Sequence, residues 1–159
     1  MGFHSHNEID KFAYTDCVIT GASKAEDGLI INLEALIVKA NNSQNSNFTD
    51  SYAGDTECRI SGIVYHKLSK IGFRYYDADD KLISETPDEE LDLANTDITE
   101  LMKDMYLYKL EKMDDGNLYH LEIETQEEDI SIPSDSYELV FSADDIDISW
   151  DRYMNRVQN

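Results

Sequence analysis

The sequence YLYKLEKMDDGNLYHLEIET, residues Tyr106 to Thr125, decides the fold class of this chain. Hydrophobic and polar residues alternate on both sides of Asp115-Gly116, a dipeptide that favours a two-residue turn matching the twist of paired strands. On one face, the resulting register places Leu110 opposite Leu121, Tyr108 opposite Ile123 and Lys112 opposite Tyr119. On the other face, it places Lys109 opposite Glu122 and Glu111 opposite His120. One face is mainly apolar and the other pairs opposite charges, which stabilises cross-strand pairing. We therefore predict an antiparallel hairpin.

Further extended segments are predicted on both sides of this hairpin. They are rich in β-branched and aromatic residues, and polar turns separate most of them: Phe12 to Ile19, Leu29 to Val38, Cys58 to Leu68, Ile71 to Tyr76, Lys81 to Ser84, Tyr137 to Phe141 and Ile146 to Trp150. Gly21 is expected to end the first strand. In the second, Leu29, Ile31 and Leu33 share one face at a period of two. Short connections leave no room for crossover helices, so the pairing should be antiparallel.

Helical signals are few. Ile98, Leu101, Met102 and Met105 follow helical spacing, and Asp97 can cap a helix over residues 97–106. Thr86-Pro87-Asp88-Glu89 has the form of a helix start, for which we expect one turn at most. The tail from Arg152 to Asn159 is expected to be a short helical turn or a frayed end. The prediction is an α+β fold, predominantly antiparallel β in a sheet or sandwich of seven to nine strands, in a single domain over residues 1–159.

Ala40 to Thr56 is a stretch of seventeen residues rich in Asn and Ser, without Lys, Arg or periodicity. We expect a mobile surface loop there, and a binding loop is the alternative. The two cysteines, Cys17 and Cys58, lie in apolar runs and are expected to be reduced, buried thiols, and a single disulfide is the alternative if their strands are neighbours. No apolar run approaches the length of a membrane span and no signal peptide is evident, so we expect a cytoplasmic protein without membrane association.

The formal charge of the chain is −21, and it is unevenly distributed. Residues 77–159 carry 25 acidic and six basic side chains, a net charge of −19, whereas residues 1–76 carry a net charge of −2. This asymmetry predicts one acidic face. Such a surface repels the phosphates of nucleic acids and attracts basic protein surfaces.

Catalytic patterns are weak. His4 and His6 lack further ligands nearby in sequence, His66 is expected to be a satisfied, partly buried side chain, and His120 is explained by its place opposite Glu111. The chain has no His-Glu-x-x-His, Gly-x-Ser-x-Gly or Cys-x-x-Cys motif. The acidic runs Asp77 to Asp80 and Asp144 to Asp147 resemble clustered calcium ligands but do not match the twelve-residue calcium loop. We expect no catalytic residue, metal or cofactor.

An acidic surface with interspersed aromatic residues fits a basic protein partner, because charge speeds association and aromatic side chains supply buried anchors. The candidate partner-binding residues are Asp77, Asp79, Asp80, Asp144, Asp145, Asp147, Asp151, Tyr137, Trp150 and Tyr153, although Trp150 is also expected to be at least half buried. In size, acidity and lack of catalytic residues the chain is similar to small bacterial immunity proteins that neutralise basic nuclease toxins. That resemblance implies an immunity-type or inhibitor-type binding protein and extends to no individual residue.

Two alternatives come from other functional classes. One is a carboxylate-based enzyme or calcium-dependent module, since 34 acidic residues offer many carboxylate pairs. The other is an acidic domain whose charge serves only solubility. Neither the identity of the partner nor the oligomeric state follows from the sequence.

Overall fold

The computed structural model describes residues 2–129 and 131–157, and most of them lie in β-strands. The strands of the first half are β1 (Phe3–His6), β2 (Phe12–Ala13), β3 (Val18–Ala25), β4 (Gly28–Glu34), β5 (Ile37–Val38), β6 (Ser51–Ala53), β7 (Thr56–Ser61) and β8 (Val64–Lys70). Those of the second half are β9 (Phe73–Tyr76), β10 (Leu82–Thr86), β11 (Glu89–Leu91), β12 (Tyr106–Lys112), β13 (Leu118–Glu124), β14 (Ser136–Ser142), β15 (Asp145–Trp150) and β16 (Tyr153–Arg156). A short helix, α1 (Ile98–Met102), and 3₁₀ turns at Ile9–Lys11 and Leu93–Asn95 complete the described elements.

These strands form three antiparallel sheets. The main sheet has ten strands in the order β1-β15-β7-β4-β3-β12-β13-β14-β8-β11, and a four-stranded sheet has the order β16-β6-β5-β2. Strands β9 and β10 form a two-stranded sheet of their own. The predicted α+β class with predominantly antiparallel β structure is confirmed, whereas the predicted number of strands is too low.

The main sheet consists of two halves that meet at one residue pair, Val18 with Tyr106. In both halves the side chains alternate between a buried and an exposed face, as in β4 and β13. The buried faces contribute to a single apolar core, which includes Ile31 and Ile148 from one half and Leu121 from the other. The opposite faces therefore carry the polar side chains of the candidate sites.

The extra strands arise where long predicted strands are divided. The segment Leu29 to Val38 breaks at Ala35, where φ is 58°, and its end joins the four-stranded sheet as β5. The segment Cys58 to Leu68 turns at Gly62, where φ is 66° and the amide donates to the carbonyl of Asp27. Gly21 does not end a strand, because β3 continues through a bulge between Ile19 and Gly21.

Two predicted helical turns are wrong. Glu89–Leu91 is strand β11 and pairs with β8, while the carboxylate of Asp88 accepts a hydrogen bond from the amide of Gly72. The tail forms β16 on the edge of the four-stranded sheet, and Gln158 and Asn159 lie outside the described residues. The helix after Asp97 is confirmed but shorter than predicted. The carboxylate of Asp97 caps it by accepting from the amides of Thr99 and Glu100.

The central hairpin has the predicted register over most of its length. Leu110 pairs with Leu121, and the Lys109–Glu122, Glu111–His120 and Lys112–Tyr119 pairs also form. A bulge at Tyr108 places Leu107, not Tyr108, opposite Ile123. Leu107 is buried and Tyr108 is exposed, so the bulge directs the more apolar side chain into the core.

The segment Ala40 to Thr56, predicted as a loop, forms strand β6 at Ser51–Ala53, and its irregular part is held by its own amide side chains. Asn45 donates to the carbonyls of Val38, Lys39 and Thr49. The side chain of Asn42 is buried and donates to the carbonyl of Lys11. These bonds replace the backbone pairing that an irregular segment lacks, so the high Asn content is explained by local structure.

Candidate functional site

The most exposed element of the described chain is the β9–β10 hairpin, residues 73–86. Its two strands pair only with each other within the described residues, and every residue from 74 to 90 is exposed. An isolated two-stranded hairpin is marginally stable in water. The hairpin is therefore an element that a binding partner could cover and stabilise.

Large apolar side chains lie on this hairpin without cover. Tyr75 is 45% exposed, Tyr76 56%, Leu82 48% and Ile83 65%. Tyr76 lies directly opposite Leu82, whereas Tyr75 belongs to the other face and stacks on Phe73 with a centroid distance of 6.3 Å. Both faces of the hairpin thus expose apolar side chains, which is unusual for a short element unless a binding partner covers them.

The turn of the hairpin carries the predicted residues Asp77, Asp79 and Asp80. The Oδ1 atom of Asp77 accepts from the amides of Asp79, at 2.8 Å, and Lys81, at 3.0 Å, so this carboxylate closes the turn. Asp79 and Asp80 are exposed. Residues 73–90 carry seven acidic and two basic side chains, a net charge of −5. The hairpin therefore combines apolar surface with an acidic end.

The second predicted acidic group lies elsewhere, on and beside β15. Asp145 accepts a hydrogen bond from Asn7 at 3.0 Å. The Oδ1 atom of Asp147 lies 2.5 Å from Nδ1 of His6 and 3.5 Å from Nε2 of His4. The hydrogen bond to Asp147, and then its charge, raise the pKa of His6. These carboxylates are contacted by His4 and His6. The two histidines lack further ligands nearby in sequence, but the pairing of β1 with β15 brings Asp147 to them from a distant part of the chain.

Trp150 is not part of any exposed surface. It has no exposed area and lies in the core against Phe3, Phe12 and Tyr153, with centroid distances of 5.6, 5.8 and 5.8 Å. Its predicted role as a partner anchor is corrected by this burial. Tyr153 is half-buried and its hydroxyl donates to the carbonyl of Gln44 at 2.7 Å. Tyr137 is half-buried as well, and Asp151 is exposed.

Four exposed residues of the hairpin were not predicted as site residues, because their pattern is that of ordinary strands: Tyr75, Tyr76, Leu82 and Ile83. The available signal was that the acidic turn between them is flanked by apolar residues on both sides. Periodicity does not distinguish a strand that the core covers from one that is exposed, so this signal was insufficient.

A second histidine group lies on the polar face of the central hairpin. Nε2 of His120 lies 3.1 Å from Oε1 of Glu122 and 3.4 Å from Oε1 of Glu138, and Nδ1 lies 3.4 Å from Oε1 of Glu111. His66, in contrast, is exposed and contacts the hydroxyl of Ser142 at 3.0 Å. The predicted partial burial of His66 is wrong, because the bulge in the β8–β14 pairing leaves it at the surface.

A cleft of about 530 Å³ lies between the end of the central hairpin and the start of β15. Its wall includes the carboxylates of Asp10, Glu111 and Asp144, together with Lys112. Among the described residues that line it there is no Ser, Cys or His, the side chains from which nucleophile–base pairs are usually built. A carboxylate-based enzyme needs paired carboxylates rather than these side chains and stays an alternative prediction.

Comparisons with protein-family models, curated protein sequences and solved structures give no match. Within residues 2–129 and 131–157, no helix is long and apolar enough to span a membrane.

Proposed function

We propose that this protein is a non-enzymatic binding protein whose β9–β10 hairpin engages a basic protein surface. The observation that carries the proposal is the exposure of Tyr75, Tyr76, Leu82 and Ile83 beside an acidic turn. Tyrosine and aliphatic side chains of this kind supply the desolvated centre of an interface, and the surrounding charges select the partner. A basic nuclease toxin is one class of partner with this chemistry, which would make the protein an immunity-type inhibitor.

The negative charge of the chain favours a basic protein as the partner. The hairpin, residues 73–86, contributes a net charge of −2, which becomes −5 with the next four residues, and residues 77–159 as a whole carry −19. A field of this sign accelerates the approach of a cationic protein and opposes acidic partners and nucleic acids. The acidic residues Asp144, Asp145, Asp147 and Asp151, with Tyr137 and Tyr153, remain predicted contributors to the same field or to a second contact.

The test compares association rates of two charge-reversal variants. A partner is captured on the immobilised wild-type protein at low salt, eluted with salt and identified, and its binding kinetics are then measured by surface plasmon resonance. Replacing Asp77, Asp79 and Asp80 with Lys should lower the association rate constant about tenfold or more. The control replaces Glu127, Glu128 and Asp129 with Lys, which changes the net charge equally on exposed residues outside the hairpin.

Truncation of the apolar surface provides the second arm. Tyr76→Ala should raise the dissociation rate and leave the association rate nearly unchanged, because a desolvated anchor acts after the complex has formed. The proposal is lost if the hairpin variant and the control slow association equally. It is also lost if the identified partner has no basic surface.

A further inference from the structure

The polar face of the central hairpin brings one histidine and three glutamates together. His120 and Glu122 project from the same face of β13, Glu138 of β14 lies directly opposite Glu122, and Glu111 of β12 lies directly opposite His120. Three neighbouring strands therefore fix the relative positions of these side chains. The exposed fractions of the side chains are 15% for His120, 17% for Glu122 and 35% for Glu138.

Among the described residues, the ring nitrogen between the two carboxylates has no hydrogen-bond partner. Nε2 of His120 is fully buried and, although Glu122 and Glu138 approach to 3.1 and 3.4 Å, neither oxygen accepts its proton in a hydrogen-bonding direction. The other ring nitrogen, Nδ1, contacts Glu111 at 3.4 Å and can donate its proton there. In that tautomer a nitrogen lone pair lies close to two carboxylates with no proton between them, an arrangement that is repulsive unless a cation lies among the three atoms.

We infer that His120, Glu122 and Glu138 form a binding site for a divalent transition-metal ion, with Zn²⁺ as the expected ion. Tetrahedral zinc with bonds of about 2.0–2.2 Å holds its ligand atoms about 3.3 Å apart. The distances from Nε2 to the two carboxylate oxygens match this separation, and the three ligand atoms all lie within 4.8 Å of one another.

The donor set favours zinc over calcium. Calcium takes oxygen ligands, six to eight in number, whereas imidazole nitrogen with carboxylate oxygen suits zinc and its neighbours in the first transition row. The partial exposure of Glu138 leaves a solvent-facing position for a water molecule as the fourth ligand. Glu111 completes the site as the carboxylate that orients the histidine through Nδ1, an arrangement common around metal-bound imidazoles. This site is separate from the proposed partner-binding hairpin, and neither inference depends on the other.

Zinc titration of the full-length, chelator-treated protein tests the site. Competition with a chromophoric zinc indicator should show one zinc ion per chain for the wild type. Glu122→Gln and Glu138→Gln should each weaken binding at least about tenfold, because each removes an anionic ligand at nearly constant volume. Glu111→Gln should weaken it about 10- to 100-fold through the orientation of His120.

Two controls localise the ion. Glu124→Gln makes the same charge change on the same strand outside the cluster, and the double variant His4→Ala/His6→Ala removes the other histidine–carboxylate group. Both should bind zinc like the wild type. Cobalt substitution adds a direct readout, because a four-coordinate Co²⁺ complex gives visible d–d absorption that Glu138→Gln should abolish.

Thermal unfolding with chelator present separates a metal site from a simple ion pair. If zinc is the missing cation, the metal-free Glu138→Gln variant should be at least as stable as the metal-free wild type, because one repulsive carboxylate is gone. Lower stability of that variant would mean that Glu138 stabilises the metal-free fold, which contradicts the repulsion from which the site is inferred. Absence of zinc binding, or binding unchanged by the cluster variants, would overturn the inference as well.

Discussion

At the scale of single residues, the two cysteines show how burial determines chemistry. Cys17 and Cys58 have no exposed area and are free thiols. Burial raises the pKa of each thiol to about 12, and neighbouring charges add to the effect. The expectation of buried, reduced cysteines from the sequence is confirmed. A thiol with such a pKa is almost entirely protonated at neutral pH and is therefore a poor nucleophile.

We predict that both thiols are protected from modification in the folded protein. At pH 8 an aromatic disulfide reagent should react with neither cysteine in buffer and with both in denaturant, because the unfolded thiols ionise near pH 9. The unfolded state therefore releases protons first as the pH rises. These two groups consequently stabilise the fold below about pH 9 and lose that contribution between pH 9 and 12. Rapid labelling in buffer at the rate seen in denaturant would contradict the burial of these strands.

At the scale of elements, the turn of the central hairpin differs from the predicted type. Only Gly116 has a positive φ, of 58°, whereas the predicted two-residue turn requires positive φ at Asp115 as well. The amide of Leu118 donates to the carbonyl of Asp115 at 3.3 Å, and the amide of Met113 donates to the carbonyl of Leu118. Strand pairing thus stops at Met113 and Leu118, and residues 114–117 form the loop. The predicted register is retained because the predicted two-residue turn and the observed loop share the same centre, between Asp115 and Gly116.

Substitution of Gly116 tests this turn. Gly116→Val should lower the free energy of unfolding by about 1–3 kcal/mol, because a β-branched residue resists positive φ. No atom lies within 4 Å of the position that a Cβ would take, so strain in the backbone is the whole cost. Gly116→Asn is the control and should lose less, since Asn tolerates this conformation. Urea unfolding measures both variants, and equal stability of Val and wild type would mean that the turn is misplaced.

At the scale of the whole molecule, most of the negative charge lies in the second half of the sequence. The paired strands place many carboxylates of residues 77–159 on exposed faces, and the ion pairs of the hairpins, such as Arg74–Glu85 at 3.0 Å, neutralise few of them. Surface pairs of this kind contribute little to stability. Repulsion among the remaining carboxylates should therefore oppose folding at low ionic strength.

We predict that salt stabilises the protein. With chelator present, the melting temperature should rise between very low salt and about 0.15 M NaCl, where the Debye length is about 8 Å. The variant with Lys at positions 77, 79 and 80 should show a smaller rise, because three negative charges are replaced by three positive ones. A melting temperature that stays flat or falls over this range in the wild type would contradict the concentration of charge.

The sequence by itself determined the antiparallel β class, the register of the central hairpin and the capped helix after Asp97. Each of these depends on interactions between residues close in the chain, where alternation, turn residues and caps act directly. It also indicated that Trp150 would be buried, because that residue alternates with polar neighbours like a core position.

Only the tertiary structure decided which distant segments meet. The pairing of β1 with β15 brings His6 to Asp147 across 141 positions, and the β13–β14 pairing adds Glu138 to His120. It likewise left Tyr76 and Leu82 exposed on a hairpin that no other sheet covers, although their pattern resembles that of covered strands. Pairing between distant strands depends on the packing of the whole core and on the closure of long loops, which no local pattern of residues encodes.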